Sequence, residues 1–171
     1  MIDRGDTFVQ KSCVYATRAD GAVLVFEGPS HETLQVPKGT VDPGETAREA
    51  AFRELAEESG VGAVSDIRQL ASDCWHRRAT ADGDRWYVRH FFQVTIHEPR
   101  ERWDHEVTGS GAEVGETFSF RWLQPERAAD QRFALDLDDY LHLLPGTRTG
   151  AGEAPLDAPT PGTEAAPGHA D

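Results

Sequence analysis

The sequence predicts an α/β domain whose sheet is covered on both faces, and three observations predict it. Strand-like runs come in pairs around Asp20-Gly21 and Asp82-Gly83, both of which are hairpin signals. A helix with its own start and stop signals lies between the two pairs. In the run from Trp86 to His97, Trp86, Val88, His90, Phe92, Val94 and Ile96 alternate with Tyr87, Arg89, Phe91, Gln93, Thr95 and His97. Both sides of that strand therefore carry large groups, which a sheet covered on two faces requires.

Taken in order, Phe8 to Thr17 and Ala22 to Glu27 form the first strand pair, and Leu34 to Gly39 reads as a short strand that turns at Pro37 and Gly39. Thr46 with Glu49 three residues on makes a capping box, so a helix begins near Ala47 and ends at Gly60, a natural left-handed stop. Phe52, Leu55 and Ala56, with Ser59 beside them, are expected to anchor it in the core. Leu70 to Arg78 and Trp86 to His97 form the second pair, and Phe118 to Leu123 is a further strand. Phe133, Leu137, Tyr140, Leu141 and Leu144 recur at helical spacing and predict a terminal amphipathic helix. After Leu144 the chain turns rich in Pro, Gly, Ala and Thr without aromatics, so residues 1–144 are read as the domain and 145–171 as a disordered tail.

Composition narrows the function. Thirty acidic against seventeen basic residues leave a net charge of −13, which argues against nucleic acid and anionic membrane, since both require a positive footprint. RNA in particular needs a basic track that the linear sequence does not display. No apolar stretch approaches the roughly 20 residues of a membrane span, and the start of the chain lacks an apolar signal region. Cys13 and Cys74 have neither metal nor redox spacing, so both are expected as buried small hydrophobes in a reducing cytoplasm. Nothing in the sequence chooses between a monomer and a homodimer.

The chemistry concentrates in residues 39–61. From Gly39, five residues lead to Glu45, seven more to Arg53-Glu54-Leu55, and Glu57, Glu58, Gly60 and Val61 follow at fixed spacing. At average residue usage a chance match at one start is on the order of 1 in a billion. Glu54, Glu57 and Glu58 stand at i, i+3 and i+4, so the three carboxylates share one helical stripe, with the small Ala47, Ala50 and Ala51 a turn or two earlier. Crowded carboxylates repel one another, and a hard divalent cation with oxygen ligands, Mg²⁺ or Mn²⁺, removes that cost.

This segment resembles the signature of the Nudix hydrolase superfamily, with no mismatch. Pro37-Lys38-Gly39 followed by Val41-Asp42-Pro43-Gly44-Glu45 is similar to the subgroup that cleaves dinucleoside polyphosphates. The resemblance implies an α/β/α sandwich with a mixed sheet between helices, and a metal-dependent hydrolase of phosphoanhydride bonds in a small-molecule nucleoside polyphosphate, either a dinucleoside polyphosphate or a nucleoside triphosphate. It implies metal ligands at the Gly39 carbonyl, Glu54, Glu57 and Glu58, with Glu54 either ligand or proton acceptor, and an orienting ion pair between Glu45 and Arg53. A further carboxylate ahead of the Trp122-Leu123 strand end matches Glu116, as ligand or general base, with Glu113 competing for the role. Gly109, Gly111 and Gly115 suggest a mobile loop beside it. Lys38, Tyr87 and Arg89 are the expected substrate-binding residues, with Arg77, Trp75, Trp86 and Phe91 as further possibilities. Another diphosphate (5′-triphosphorylated RNA, a nucleotide sugar, an inositol pyrophosphate) and a non-catalytic ligand-sensing module are the alternatives.

Overall fold

The structure is a computed structural model that describes residues 5–29, 32–81 and 83–146. Asp82 and all of the expected tail after Gly146 lie outside the described residues. The strands are β1 (Thr7–Thr17), β2 (Val23–Glu27), β3 (Lys38–Thr40), β4 (Val64–Thr80), β5 (Gly83–Ile96), β6 (Arg102–Glu106) and β7 (Thr117–Leu123), with one α-helix, α1 (Ala47–Ser59). They form a mixed sheet of order β4-β5-β1-β2-β7-β6, with β3 pairing β1 off this path. β1 and β5 run parallel from Thr7↔Arg85 to Thr17↔Thr95, and α1 lies in the crossover between them, as a parallel pair requires.

The hairpin signal at Asp20-Gly21 holds, with Gly21 at φ 84°, but β1 meets β2 only at Thr17↔Val23. Farther along, β1 parts from β2 and takes β3 as its neighbour, pairing Lys11↔Thr40, Ser12↔Gly39 and Cys13↔Lys38. That divergence inserts Pro37-Lys38-Gly39 into the middle of the sheet, directly beside α1.

Strand alternation divides the interior into two cores. Val14, Ala16, Leu24, Phe26, Phe92 and Phe118 face α1, where Ala51 and Leu55 meet them. Cys13, Tyr15, Val25, Val36 and Phe91 face the other way, under Leu137, Leu141 and Leu144. Of the apolar positions expected from the terminal pattern, Leu137, Leu141 and Leu144 are buried and Phe133 and Tyr140 partly so, but the segment forms 3₁₀ turns at Pro125–Asp130, Ala134–Asp136 and Leu141–Leu143 rather than an amphipathic helix. Leu135 (φ 55°) and Asp136 (φ 51°) take left-handed conformations that no helix tolerates. The sheet compensates, since Arg89 donates to the Leu135 carbonyl (2.8 Å) and Tyr15 Oη to that of Leu137 (2.7 Å).

Three other expectations change. The buried face of α1 is Ala50, Ala51, Glu54, Leu55, Glu58 and Ser59, while Ala56 is exposed and Phe52 only half-buried, so the glutamate stripe faces inward beside the alanines. Cys13 is buried, but Cys74 is exposed on edge strand β4. Strand β6 has no counterpart in the sequence reading, because its Arg-Trp-Asp-His-Glu buries only Trp103 and shows no apolar alternation.

The start of α1 is built as the sequence predicts. Thr46 Oγ1 accepts from the Glu49 amide (3.2 Å) and Glu49 Oε2 accepts from the Thr46 amide (2.8 Å), while Gly60 closes the other end at φ 73°. Thr46→Ala is expected to destabilise the domain by about 1 kcal/mol, read as a shift in the urea midpoint at unchanged slope.

Candidate active site

The glutamates of α1 reach the sheet at the gap where β3 enters. The Lys38 amide donates to Glu58 Oε2 (3.1 Å), and Gly39 lies under the Glu54 carboxylate, which a Cβ at that position would overlap. Glu58 is 2% exposed and Glu54 9%, while Glu57 stands at the rim. Burial pushes both enclosed carboxyls upward, Glu58 strongly with Lys38 opposing, and Glu54 with Arg53 opposing.

Arg53 organises the approach. Its Nε and Nη2 donate to the two carboxylate oxygens of Glu45 (2.9 Å each), and Nη2 also reaches the Thr40 carbonyl (2.9 Å). Nη1 donates to Glu54 Oε1 (2.7 Å) and Glu57 Oε2 (3.4 Å). The hydrogen bonds from Arg53 hold the Glu45 carboxyl below its ordinary range. Expected from sequence as a pair, Glu45 and Arg53 are joined in that way and to two of the glutamates as well.

A second wall comes from the β6–β7 connection. The Thr108 amide donates to the Glu57 carbonyl (3.0 Å), and Gly109, at φ 95°, passes so close to the Glu57 carboxylate that a Cβ there would collide with it. Glu113 lies on the cavity and faces Lys38 Nζ at 3.8 Å. Glu116, the expected loop carboxylate, does not line the cavity. Its amide donates to the Glu113 carbonyl (3.0 Å) and its carbonyl accepts from Val107 (2.8 Å), which commits it to closing the loop. The alternative weighed against it, Glu113, is the acid that the fold brings to the site.

The third wall is cationic and aromatic. Lys11, Lys38, Arg77 and Tyr87 line the same cavity of about 380 Å³, with Leu135 and Leu137 as its apolar floor. Lys11 Nζ donates to Thr40 Oγ1 (2.8 Å) and sits 4.9 Å over the Tyr87 ring. Trp75, its cross-strand partner, stacks on Tyr87 with 6.1 Å between ring centroids. Arg89 also borders the cavity, yet it is 2% exposed and fully engaged by Asp73, Asp139 (2.9 Å) and the Leu135 carbonyl. It braces the floor and has no donor left for a substrate phosphate. Of the other expected aromatics, Phe91 is buried in the core and Trp86 stacks with Phe8 outside the cavity.

Lys11 was missed by the sequence reading because it sits inside an otherwise ordinary strand, and only the parallel register with β5 shows what it faces. Gly109 reads in the sequence as part of a mobile glycine segment, with no sign of its contact with Glu57. Its closeness to Glu57 depends on a connection fifty residues away in the chain.

The donor set fits a hard cation, since the carboxylates of Glu54, Glu57 and Glu58 and the Gly39 carbonyl offer oxygen alone. The nearby Cys13 thiol is pushed up to about 12 by burial and stays neutral. As arranged, no three acid, His or Cys groups among the described residues converge on a common point. Arg53 Nη1 donates to both Glu54 and Glu57, so a bound cation would share those carboxylates with the guanidinium.

This geometry agrees with the comparisons. The family model of the NUDIX domain matches residues 8–158. The chain is 28% identical over 155 residues to an RNA pyrophosphohydrolase of Dinoroseobacter shibae, covering 76% of this chain and 86% of that protein. It is 32% identical over 137 residues to an RNA pyrophosphohydrolase of Bradyrhizobium, covering 66% of this chain and 76% of that one. Among solved structures, the E. coli dihydroneopterin triphosphate pyrophosphohydrolase shares the fold with a TM-score of 0.59 at 19% identity, covering 78% of this chain and 92% of that chain. With the family match running through nearly the whole described domain and the glutamate helix at its centre, the chain belongs to the Nudix hydrolases.

Proposed function

We propose that this chain is a pyrophosphohydrolase that cleaves a phosphoanhydride bond in a polyphosphate carried by a nucleoside, with Mg²⁺ or Mn²⁺ held by Glu54, Glu57, Glu58 and the Gly39 carbonyl. The observation that carries the reading is the polarity of one cavity, with three glutamates of α1 on one wall and Lys11, Lys38 and Arg77 on another. The cation supplies neutralisation of phosphate charge and lowers the pKa of water.

The protein groups act around it. Lys38 and Lys11 meet the phosphate oxygens as point charges. Glu57 and Glu58 hold the cation, Glu54 serves as ligand or as acceptor of the water proton, and Glu113 takes the place expected of Glu116 as the loop carboxylate. Arg53, fixed on Glu45 through a two-pronged pair, orients Glu54. Tyr87, with Trp75 beside it, lines the cavity as an aromatic wall for a base.

A cavity of about 380 Å³ is near the lower bound for ligand sites and suits one nucleotide with its phosphates. Whatever lies beyond the polyphosphate must extend out of it. This is compatible with a dinucleoside polyphosphate, the substrate favoured by Pro37-Lys38-Gly39. A second reading, a 5′-triphosphorylated RNA end, is favoured by the names of the relatives from Dinoroseobacter and Bradyrhizobium.

A hydrolysis screen over dinucleoside polyphosphates, nucleoside triphosphates, nucleotide sugars and triphosphorylated RNA, run in ¹⁸O water with Mg²⁺ or Mn²⁺, tests the reaction. Labelled phosphate-containing products are expected, and inactivity throughout would overturn the proposal. Glu57→Gln is expected to lower kcat by orders of magnitude with the fold intact by circular dichroism. Mg²⁺ at about 100 times its Kd is expected to stabilise the protein by about 2.7 kcal/mol, seen as a rise in Tm that chelation reverses and that Glu58→Gln abolishes. Gly39→Ala and Gly109→Ala are each expected to lower kcat and weaken Mg²⁺ binding by displacing Glu54 or Glu57. Gly62→Ala, with open space at its Cβ, is expected to leave both unchanged.

A further inference from the structure

The β4–β5 hairpin projects beyond the covered part of the sheet, and residues 76–81 at the end of β4 are exposed. Its register opposes Asp73 to Arg89, Trp75 to Tyr87 and Arg78 to Arg85, so these pairs share the face that holds the cavity. A register shift between His76 and Arg78 inserts Arg77, which lines the cavity itself. Bulges of this kind re-aim side chains beside active sites. On the other side of β5, parallel pairing sets Lys11 beside Arg89. From the phosphate end outward, the face presents Lys38, Lys11, Tyr87 with Trp75, and then Arg77, Arg78 and Arg85.

The outer arginines differ from Arg89 on the same face. Arg89 is neutralised by Asp73 and Asp139. Among the described residues Arg77, Arg78 and Arg85 enter no ion pair, and Arg85 Nε is buried without a hydrogen-bond partner. Asp84, next to Arg85 in the chain, pairs with His76 at 3.2 Å on the opposite face. On the cavity face, Asp136 accepts from the Trp75 indole (2.9 Å).

We infer that this stripe is the track of a single-stranded RNA whose 5′ polyphosphate end occupies the cavity, an inference that rests on the function proposed above. From the level of Lys11 to that of Arg85 is four residues, or about 13 Å along the strands. A mononucleotide ends at Tyr87 and needs nothing from Arg78 or Arg85. A strand that continues past the first nucleotide runs along both. Cations that follow the backbone, with aromatic faces between them for the bases, are the features that hold single-stranded nucleic acid. The net charge of −13 repels a polyanion at a distance, but screening over about 8 Å at physiological salt leaves the local arginines in control once the strand is in contact.

The test compares the wild-type full chain with the double variant Arg78→Ala/Arg85→Ala. Binding is read by fluorescence anisotropy with a 5′-monophosphorylated ten-nucleotide single-stranded RNA, which carries no phosphoanhydride bond and is not consumed. The variant is expected to bind about tenfold more weakly, and its slope of log Kd against log salt to fall by about 1.4, the share of two phosphate contacts on a single strand. In turnover, kcat/KM for the triphosphorylated form of that RNA is expected to fall about tenfold through KM, with ATP turnover within twofold of wild type. Arg78→Lys/Arg85→Lys is expected to restore the salt slope, which separates lost charge from a misfolded hairpin. Equal RNA affinity in wild type and variant, or parallel loss on ATP and RNA, overturns the track. ATP hydrolysis without RNA binding by the wild type rejects the track and leaves the phosphoanhydride reading standing. Failure to hydrolyse any polyphosphate rejects that reading, while the anisotropy still decides whether the track exists.

Discussion

The site is organised around one guanidinium. Arg53 projects from the middle of α1 and ties Glu45 ahead of the helix, the Thr40 carbonyl at the end of β3, and Glu54 and Glu57 on its own helix. A planar fork with donors fixed in direction joins these groups in one geometry, which a lysine point charge does not reproduce. The loop from Thr40 to Glu45 is thus locked to the helix that carries the chemistry. Without that lock, Glu54 would lose the charge that offsets its burial and the repulsion of Glu57.

The lock works because the sheet opens where it does. β1 leaves β2 after a single pairing and accepts β3, so a Pro-Lys-Gly turn enters between strands that would otherwise be neighbours. Ala50 and Ala51 let α1 approach closely, and two glycines complete the fit from opposite sides, Gly39 beneath Glu54 and Gly109 against Glu57. The same packing explains why the glutamate stripe is partly buried although it reads as a charged face. Charged groups that are this enclosed stay soluble in the fold only when paired, and here the partners are Arg53 and the Lys38 amide.

Opposite the glutamates, the fold gathers positive charge that the chain as a whole lacks. Lys11, Lys38, Arg77, Arg78 and Arg85 come from four strands and converge only through the β1–β3, β1–β5 and β4–β5 registers. The net charge of −13 therefore describes the molecule seen from afar and says little about the field within reach of the cavity. Arg89 shows the converse. It appears in the sequence as a free cation among aromatics, and the fold uses it to hold the left-handed Leu135–Asp136 turn against the sheet.

By itself, the sequence determined what is local. The capping box at Thr46 and Glu49, the stop at Gly60, the i, i+3, i+4 glutamates and the hairpin turn at Asp20-Gly21 all follow from interactions within a few residues, so their spacing is legible without coordinates. The apolar positions of the last segment were legible too, although not its conformation, because a pattern of burial does not specify which backbone presents it. Tertiary structure decided whatever depends on partners distant in the chain. Glu113 rather than Glu116 lines the cavity because the turn at Gly115 and the Val107 pairing fix the loop. Lys11 faces the cavity, Arg89 is withdrawn from it and the hairpin arginines share one side because of strand register, which no single segment encodes.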